Sequence, residues 1–127
     1  MKAVVLIAED EPDTRELLQW QLEEAGLTVI TAPDGAAALR LLAAHRPDLV
    51  VTDLRMPGIS GIELIRVIRG VAEWVHLPIV VLSAYSNVCL MEAHRSGATV
   101  VLQKPKDLPK VVETIKSLLP DRGAAEH

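Results

Sequence analysis

Short apolar runs alternate with longer amphipathic stretches five times along the chain, with Gly, Pro or acidic residues at the changes between them. Ala3–Ala8 is an apolar run of strand length. Pro12, preorganised for a first helical turn, then opens a helix whose Leu18, Leu22 and Ala25 share a face until Gly26 closes it. Leu27–Thr31 forms a second strand, and Asp34 caps a helix with Ala38, Leu42 and His45 on one side. Leu49–Thr52 is a third strand that ends at Asp53. Ser60 and Glu63 have the spacing of a capping box and start a third helix through Ile62, Ile65 and Ile68. Ile79–Leu82 is a fourth strand, and its helix runs to about Ser96 before Gly97. Thr99–Leu102 is the fifth, after which Asp107 caps a last helix carrying Val112, Ile115 and Leu119, stopped by Pro120.

Strands without a polar face belong in a parallel sheet covered on both sides. Strands alternating with helices imply right-handed crossovers. The pattern therefore predicts an α/β fold, a doubly wound (βα)5 sandwich with a five-stranded parallel sheet in the flavodoxin-like order 2-1-3-4-5. One domain is expected over residues 1–120, with a flexible C-terminal tail at 121–127 and no output domain in this chain.

Composition narrows the picture. The chain has no Phe and only 2% aromatics, so its core must be aliphatic. A net charge of −4 argues against direct nucleic acid binding. Cys89 stands alone, which excludes an internal disulfide and suits a reducing compartment. Glu9, Asp10 and Glu11 follow the first apolar run too closely for a signal peptide, and nothing is long enough to span a membrane. A cytoplasmic location, with no membrane partner, is expected.

In open α/β sheets the ligand site lies beyond the carboxyl ends of the strands. The first strand ends in Glu9-Asp10, the third in Asp53, the fourth in Ser83 and the fifth in Lys104-Pro105. Each has an ordinary explanation on its own: helix capping, a turn residue, a solvated charge. Together those explanations would have to coincide at one sheet edge, which is the weaker account. Two carboxylates about 4 Å apart repel by roughly 4 kcal/mol at an effective dielectric near 20. Three need a counter-charge, and Lys104 supplies only one. An all-oxygen, carboxylate-rich site suits Mg2+. A carboxylate there can attack phosphorus, with Lys104 and Ser83 meeting the phosphoryl oxygens.

These residues match a known pattern. Val4-Val5-Leu6-Ile7-Ala8-Glu9-Asp10-Glu11-Pro12 resembles the opening of response-regulator receiver domains, of the CheY-like superfamily. Asp53-Leu54-Arg55-Met56-Pro57-Gly58-Ile59-Ser60-Gly61 is similar to their phosphoacceptor loop. Leu82-Ser83-Ala84, Lys104-Pro105, Ala32-Pro33-Asp34-Gly35 and Ser96-Gly97-Ala98 also fit, and the likeness covers residues 2–119.

The resemblance implies a phosphoacceptor receiver domain of a two-component or phosphorelay system, a signalling domain that catalyses only its own phosphorylation and dephosphorylation. Asp53 would be the phosphorylated nucleophile. Asp10 and Asp53 would bind Mg2+ directly, Glu9 through water, and Arg55 through its backbone carbonyl. Ser83 and Lys104 would contact phosphoryl oxygens, and the Lys104–Pro105 peptide would be cis. The donor would be a sensor histidine kinase or a histidine phosphotransfer protein. The output face would be the fourth helix, fifth strand and fifth helix, meeting an unnamed downstream protein or a second copy in a homodimer. Arg55 and Tyr85 would flank the phosphoryl group and obstruct attacking water. Two positions depart from the family pattern: Val101 stands where an inward-turning aromatic is common, and Lys106 follows Pro105 where Phe is frequent.

Other polar residues read as structural. His45, His76 and His94 lack metal-ligand spacing, Trp20 and Trp74 pack on helices, and Lys104, Lys106 and Lys110 form a mild basic surface. Three other classes on similar sheets, two of them enzymes, fit less well. A Toprim-like core wants a DxD pair where Asp53 is followed by Arg55, and a haloacid-dehalogenase-type phosphatase wants two Asp two apart where Asp10 and Asp13 are three apart. In a flavodoxin the acids after the first strand would repel phosphate. The remaining alternative is a receiver-like scaffold acting by protein contact without phosphorylation.

Overall fold

The computed structural model describes residues 3–84 and 87–119, excluding the side chains of 87–89. Five strands, β1 (Val4–Ala8), β2 (Thr28–Ala32), β3 (Leu49–Thr52), β4 (Ile79–Ser83) and β5 (Val100–Gln103), form one parallel sheet in the order 2-1-3-4-5. Between and after them run α1 (Pro12–Glu24), α2 (Gly35–His45), α3 (Gly61–Arg69), α4 (Asn87–Ser96) and α5 (Val111–Leu118). The expected fold class is the observed one.

Side-chain alternation along the strands divides the core into two layers. Leu6, Ala8, Val50, Ile79 and Val81 pack with Ala38 and Leu42 of α2, Leu64, Ile65 and Ile68 of α3, and Ala93 of α4. Their strand neighbours Val5, Ile7, Leu49, Val51, Val80 and Leu82 face the other way, onto Leu18 and Leu22 of α1 and Val111 and Ile115 of α5. Both faces are covered, which is why the strands read as uninterrupted apolar runs.

Several boundaries move by one residue. β2 and β5 each begin one residue later than the apolar runs imply. Leu27 N–H still donates to Leu22 C=O in the closing turn of α1, and Gly26 takes the left-handed φ of 90° that this turn needs. Asp34 accepts from Ala37 N–H at 2.8 Å, and Ser60 and Glu63 form the reciprocal capping box. His45, by contrast, ends exposed at the last turn of α2, and α3 buries Leu64 beside Ile65 and Ile68 while Ile62 is half-buried.

The last helix departs most. Asp107 does not cap α5. A 3-10 turn at Leu108–Lys110 intervenes, and the Asp107 carboxylate instead accepts from Gln103 N–H at 2.9 Å. The buried stripe is consequently Val111 and Ile115, with Val112 and Leu119 half-buried. Trp74 lies in an unanticipated 3-10 turn (Ala72–Trp74) against the core, whereas Trp20 is 61% exposed on α1. Pro120, Tyr85 and the expected tail lie outside the described residues.

Candidate phosphoacceptor and metal site

The sheet register brings the chemistry together. Ala8 of β1 stands beside Thr52 of β3, and Asp53 N–H donates to Ala8 C=O at 3.1 Å, so Glu9, Asp10 and Asp53 leave adjacent strands at the same level. Ser83 pairs with Gln103, and Lys104 N–H donates to Ser83 C=O at 2.8 Å. Carboxylate oxygens of Glu9, Asp10 and Asp53 lie within 4.8 Å of one another. A cavity of about 490 Å³ opens over them, lined among others by Asp10, Asp53, Arg55, Ala84 and Lys104.

Lys104 reaches into the acids. Its ammonium donates to Glu9 Oε1 at 2.7 Å and to Asp53 Oδ2 at 3.2 Å. Asp53 Oδ1 accepts from Leu54 N–H at 2.6 Å, which fixes the carboxylate's orientation. Lys104 and Asp53 are mostly buried and Glu9 almost completely so, while Asp10 is exposed. Burial pushes the Glu9 carboxyl above its ordinary value, aided by the nearby charge of Asp53 and opposed by the bonds from Lys104 and Glu11 N–H. Burial alone would lower Lys104, but its bond to Glu9 and the charge of Asp53 outweigh that, and its ammonium is held above the usual lysine value.

Three carboxylates against one ammonium leave an excess of negative charge in a partly dry pocket. The donor set is all oxygen, clustered and open to solvent on the Asp10 side, as Mg2+ with retained waters requires. The residues present therefore fit a divalent hard cation.

Among the anticipated residues, Glu9, Asp10, Asp53 and Lys104 come together, and Arg55 lies exposed at the cavity wall. Ser83 reaches the same edge but is fully buried, and Ala84 forms the cavity wall there. The Lys104–Pro105 peptide is cis. Lys106 and Lys110 are exposed, with Lys110 beside Asp107, whereas Lys104 points inward to the acids. Val101 is half-buried and borders a groove with Leu90, Met91 and His94.

Two contributors escaped sequence reasoning. Gly61 lies so close to the backbone of Asp53 and Leu54 that a Cβ there would collide with the Asp53 carbonyl oxygen. Arg15 donates to the Glu9 C=O at 2.8 Å. The only signal for Arg15 is a cation placed in the opening turn of a helix, against its dipole.

Comparison with known proteins agrees. The family model described as response regulator receiver domain matches residues 5–116. The polar-differentiation response regulator DivK of Brucella anthropi is 33% identical over 122 residues, covering 95% of this chain and 99% of that protein. Among solved structures, chemotaxis protein CheY4 of Vibrio cholerae superposes with a TM-score of 0.86 at 30% identity, covering 94% of this chain and all of that one. Response regulator protein TrrA of Thermotoga maritima, solved in complex with Mg(2+)-BeF, has a TM-score of 0.83 at 35% identity, covering 94% of this chain and 100% of that one.

Proposed function

Because the chain belongs to the response regulator receiver domain family, a family of signalling domains, we propose that Asp53 accepts a phosphoryl group from a phosphohistidine donor in a magnesium-dependent reaction. The observation that carries this reading is the convergence of Glu9, Asp10 and Asp53 on one cavity with Lys104 bonded among them. Asp10, Asp53 and the Arg55 backbone carbonyl would hold Mg2+ directly, and Glu9 through water. The ion, when bound, supplies positive charge to the oxygens of the transferring group.

The residues of the chain do the rest. An Asp53 oxygen attacks phosphorus as the P–N bond to the donor imidazole breaks, and the imidazole leaves with that electron pair. Asp53 is oriented for this by Leu54 N–H. Lys104 carries its proton throughout and meets the charge on the phosphoryl oxygens. The Ser83 hydroxyl is the remaining donor in this reading. The domain would catalyse only its own phosphorylation and dephosphorylation. The donor would be a sensor histidine kinase or histidine phosphotransfer protein in the cytoplasm. Among the described residues no helix is long and apolar enough to cross a membrane. Signal output would leave through α4, β5 and α5, to a downstream protein or a second copy of the chain.

The test is intact mass after incubation with acetyl phosphate, with and without Mg2+, for wild type and Asp53→Asn. A gain of one phosphoryl group that needs Mg2+ and is lost in the variant is expected. No gain by folded wild type at saturating Mg2+ would replace this reading with a scaffold that acts by contact alone.

A further inference from the structure

We infer that Arg15 is a positioning residue for the metal-binding loop, holding the Glu9–Asp10 peptide in the orientation that brings both carboxylates to Mg2+. The inference rests on the magnesium reading above and adds to it a residue outside the acidic cluster.

The Glu9 backbone is pinned on both sides. Its N–H donates to Ala32 C=O at 3.0 Å, extending the β1–β2 ladder by one rung, and its C=O accepts from Arg15 Nη1 at 2.8 Å. The Glu9 carbonyl and the Asp10 N–H belong to one planar peptide. Fixing that oxygen therefore fixes the direction in which the chain turns toward Asp10. Asp10 needs the help: it is exposed, at the start of the turn into α1, whereas Glu9 is held by Lys104 and Glu11 N–H, and Asp53 by Leu54 N–H and Lys104.

Helix energetics do not account for Arg15. It occupies the fourth position of α1, where a cation opposes the helix dipole. Its half-buried side chain turns back along the helix toward the sheet edge, the direction helical side chains favour, and ends on the loop carbonyl. The hydrogen bond is charge-assisted, the stronger kind.

The sign of the effect separates positioning from simple charge. A guanidinium near the acids repels a divalent cation, so on Coulomb grounds its removal tightens Mg2+ binding. Loss of a positioning bond weakens it. Residues that orient metal ligands cost about 10–100-fold in metal affinity when removed.

The experiment is calorimetric titration of the full chain with Mg2+ alone, for wild type, Arg15→Met and Arg15→Lys. Wild type should bind, Arg15→Met should bind about tenfold more weakly, and Arg15→Lys, which keeps a charged donor, should recover most of the loss. In acetyl phosphate assays, Arg15→Met should need more Mg2+ for half-maximal rate yet reach the wild-type rate at saturation. Equal or tighter Mg2+ binding by Arg15→Met overturns the proposal. So does a saturating rate that falls while the Mg2+ requirement stays put. If Arg15→Met does not fold, Arg15→Gln takes its place under the same criteria. Failure of wild type itself to bind Mg2+ would instead sink the magnesium reading.

Discussion

The Lys104 ammonium donates to Glu9 Oε1 at 2.7 Å across 95 residues of sequence, joining the end of the last strand to the end of the first. The bond crosses the middle of the site, and without it three carboxylates would face one another unscreened. Lys104→Met should lower the melting temperature of the metal-free protein by roughly 5–10 °C, as expected when one member of a largely buried pair is removed. Saturating Mg2+ should restore most of that. The sign in pH follows from the raised lysine value: with Glu9 ionised, the ammonium's contribution is fully present up to 10.5 and is lost as pH rises through the folded-state value, while on the acid side the bridge is lost as the raised Glu9 carboxyl takes up its proton. An unchanged melting temperature in the variant without Mg2+ would show that the acids need no internal cation.

Gly61 holds the loop that follows Asp53 by having no side chain. Its N–H donates to Leu54 C=O at 2.8 Å, and an added Cβ would strike the Asp53 carbonyl. Gly61→Ala should cost about 1–3 kcal/mol in urea denaturation, as overpacking does. Its phosphorylation should be slower by about tenfold or more at equal folded fraction, because the nucleophile is displaced. Gly70→Ala is the control: the nearest atoms lie at 3.5 Å and its backbone is right-handed helical, so it should be neutral or stabilising by about 0.4–1 kcal/mol. Equal effects from the two substitutions would refute the close-approach argument.

What the sequence alone reveals has a physical boundary. The five units, the strand order and the convergence of Glu9, Asp10, Asp53 and Lys104 follow from apolar runs and from the rule that parallel strands deliver their ends to one edge. Asp107 was misread because an Asp before a helical pattern can accept either from the helix ahead or from the chain behind. Local sequence does not choose between them, and the 3-10 turn after Asp107 shifted the α5 stripe from Val112 to Val111. Trp20 is mostly exposed because the face of α1 that meets the sheet is the one carrying Leu18 and Leu22. Arg15 and Gly61 act on backbone atoms of the loops, which leave almost no mark on side-chain patterns.

Arg55 lies exposed at the wall of the cavity over Asp53, two residues further along the chain. Its bulk there should slow the approach of hydrolytic water to a phosphorylated Asp53. Arg55→Ala should lose its phosphoryl group severalfold faster than wild type, followed by phosphoprotein gels after removal of the donor. An unchanged half-life would leave Arg55 as a rim residue only.

Asp107 closes the β5–α5 connection on itself. Its carboxylate accepts from Gln103 N–H and its own N–H donates to Gln103 C=O at 2.7 Å. The Gln103 bond, with Lys106 and Lys110 nearby, holds the carboxyl below the ordinary aspartate value of 3.8. A depressed carboxylate stabilises the fold above its unfolded pKa, and the contribution disappears as pH falls through the folded value. Asp107→Asn should therefore be less stable than wild type at neutral pH, with the gap closing between pH 4 and acid unfolding. Parallel stability curves over that range would count against the assignment.

Arg69 ties elements together at the amino ends of β4 and β5, as Lys104 does at the carboxyl ends of β1, β3 and β5. Its guanidinium donates to the carbonyls of Leu77 at 2.7 Å, Gly97 at 2.9 Å and Trp74 at 3.0 Å, tying α3 to the turns that enter both strands. Trp74 C=O keeps its bond from Leu77 N–H, but a variant without donors takes the Arg69 bond from the partly buried Leu77 and Gly97 oxygens. Arg69→Met should lose about 2–4 kcal/mol in urea denaturation. Arg69→Lys should recover only part, because one ammonium cannot reproduce the planar fork. The phosphorylation rate of the folded variant should stay near wild type, since every group Arg69 touches lies at the opposite sheet edge from Asp53. A rate that collapses while stability holds would mean that the two ends of the sheet are coupled more tightly than their separate hydrogen-bond networks imply.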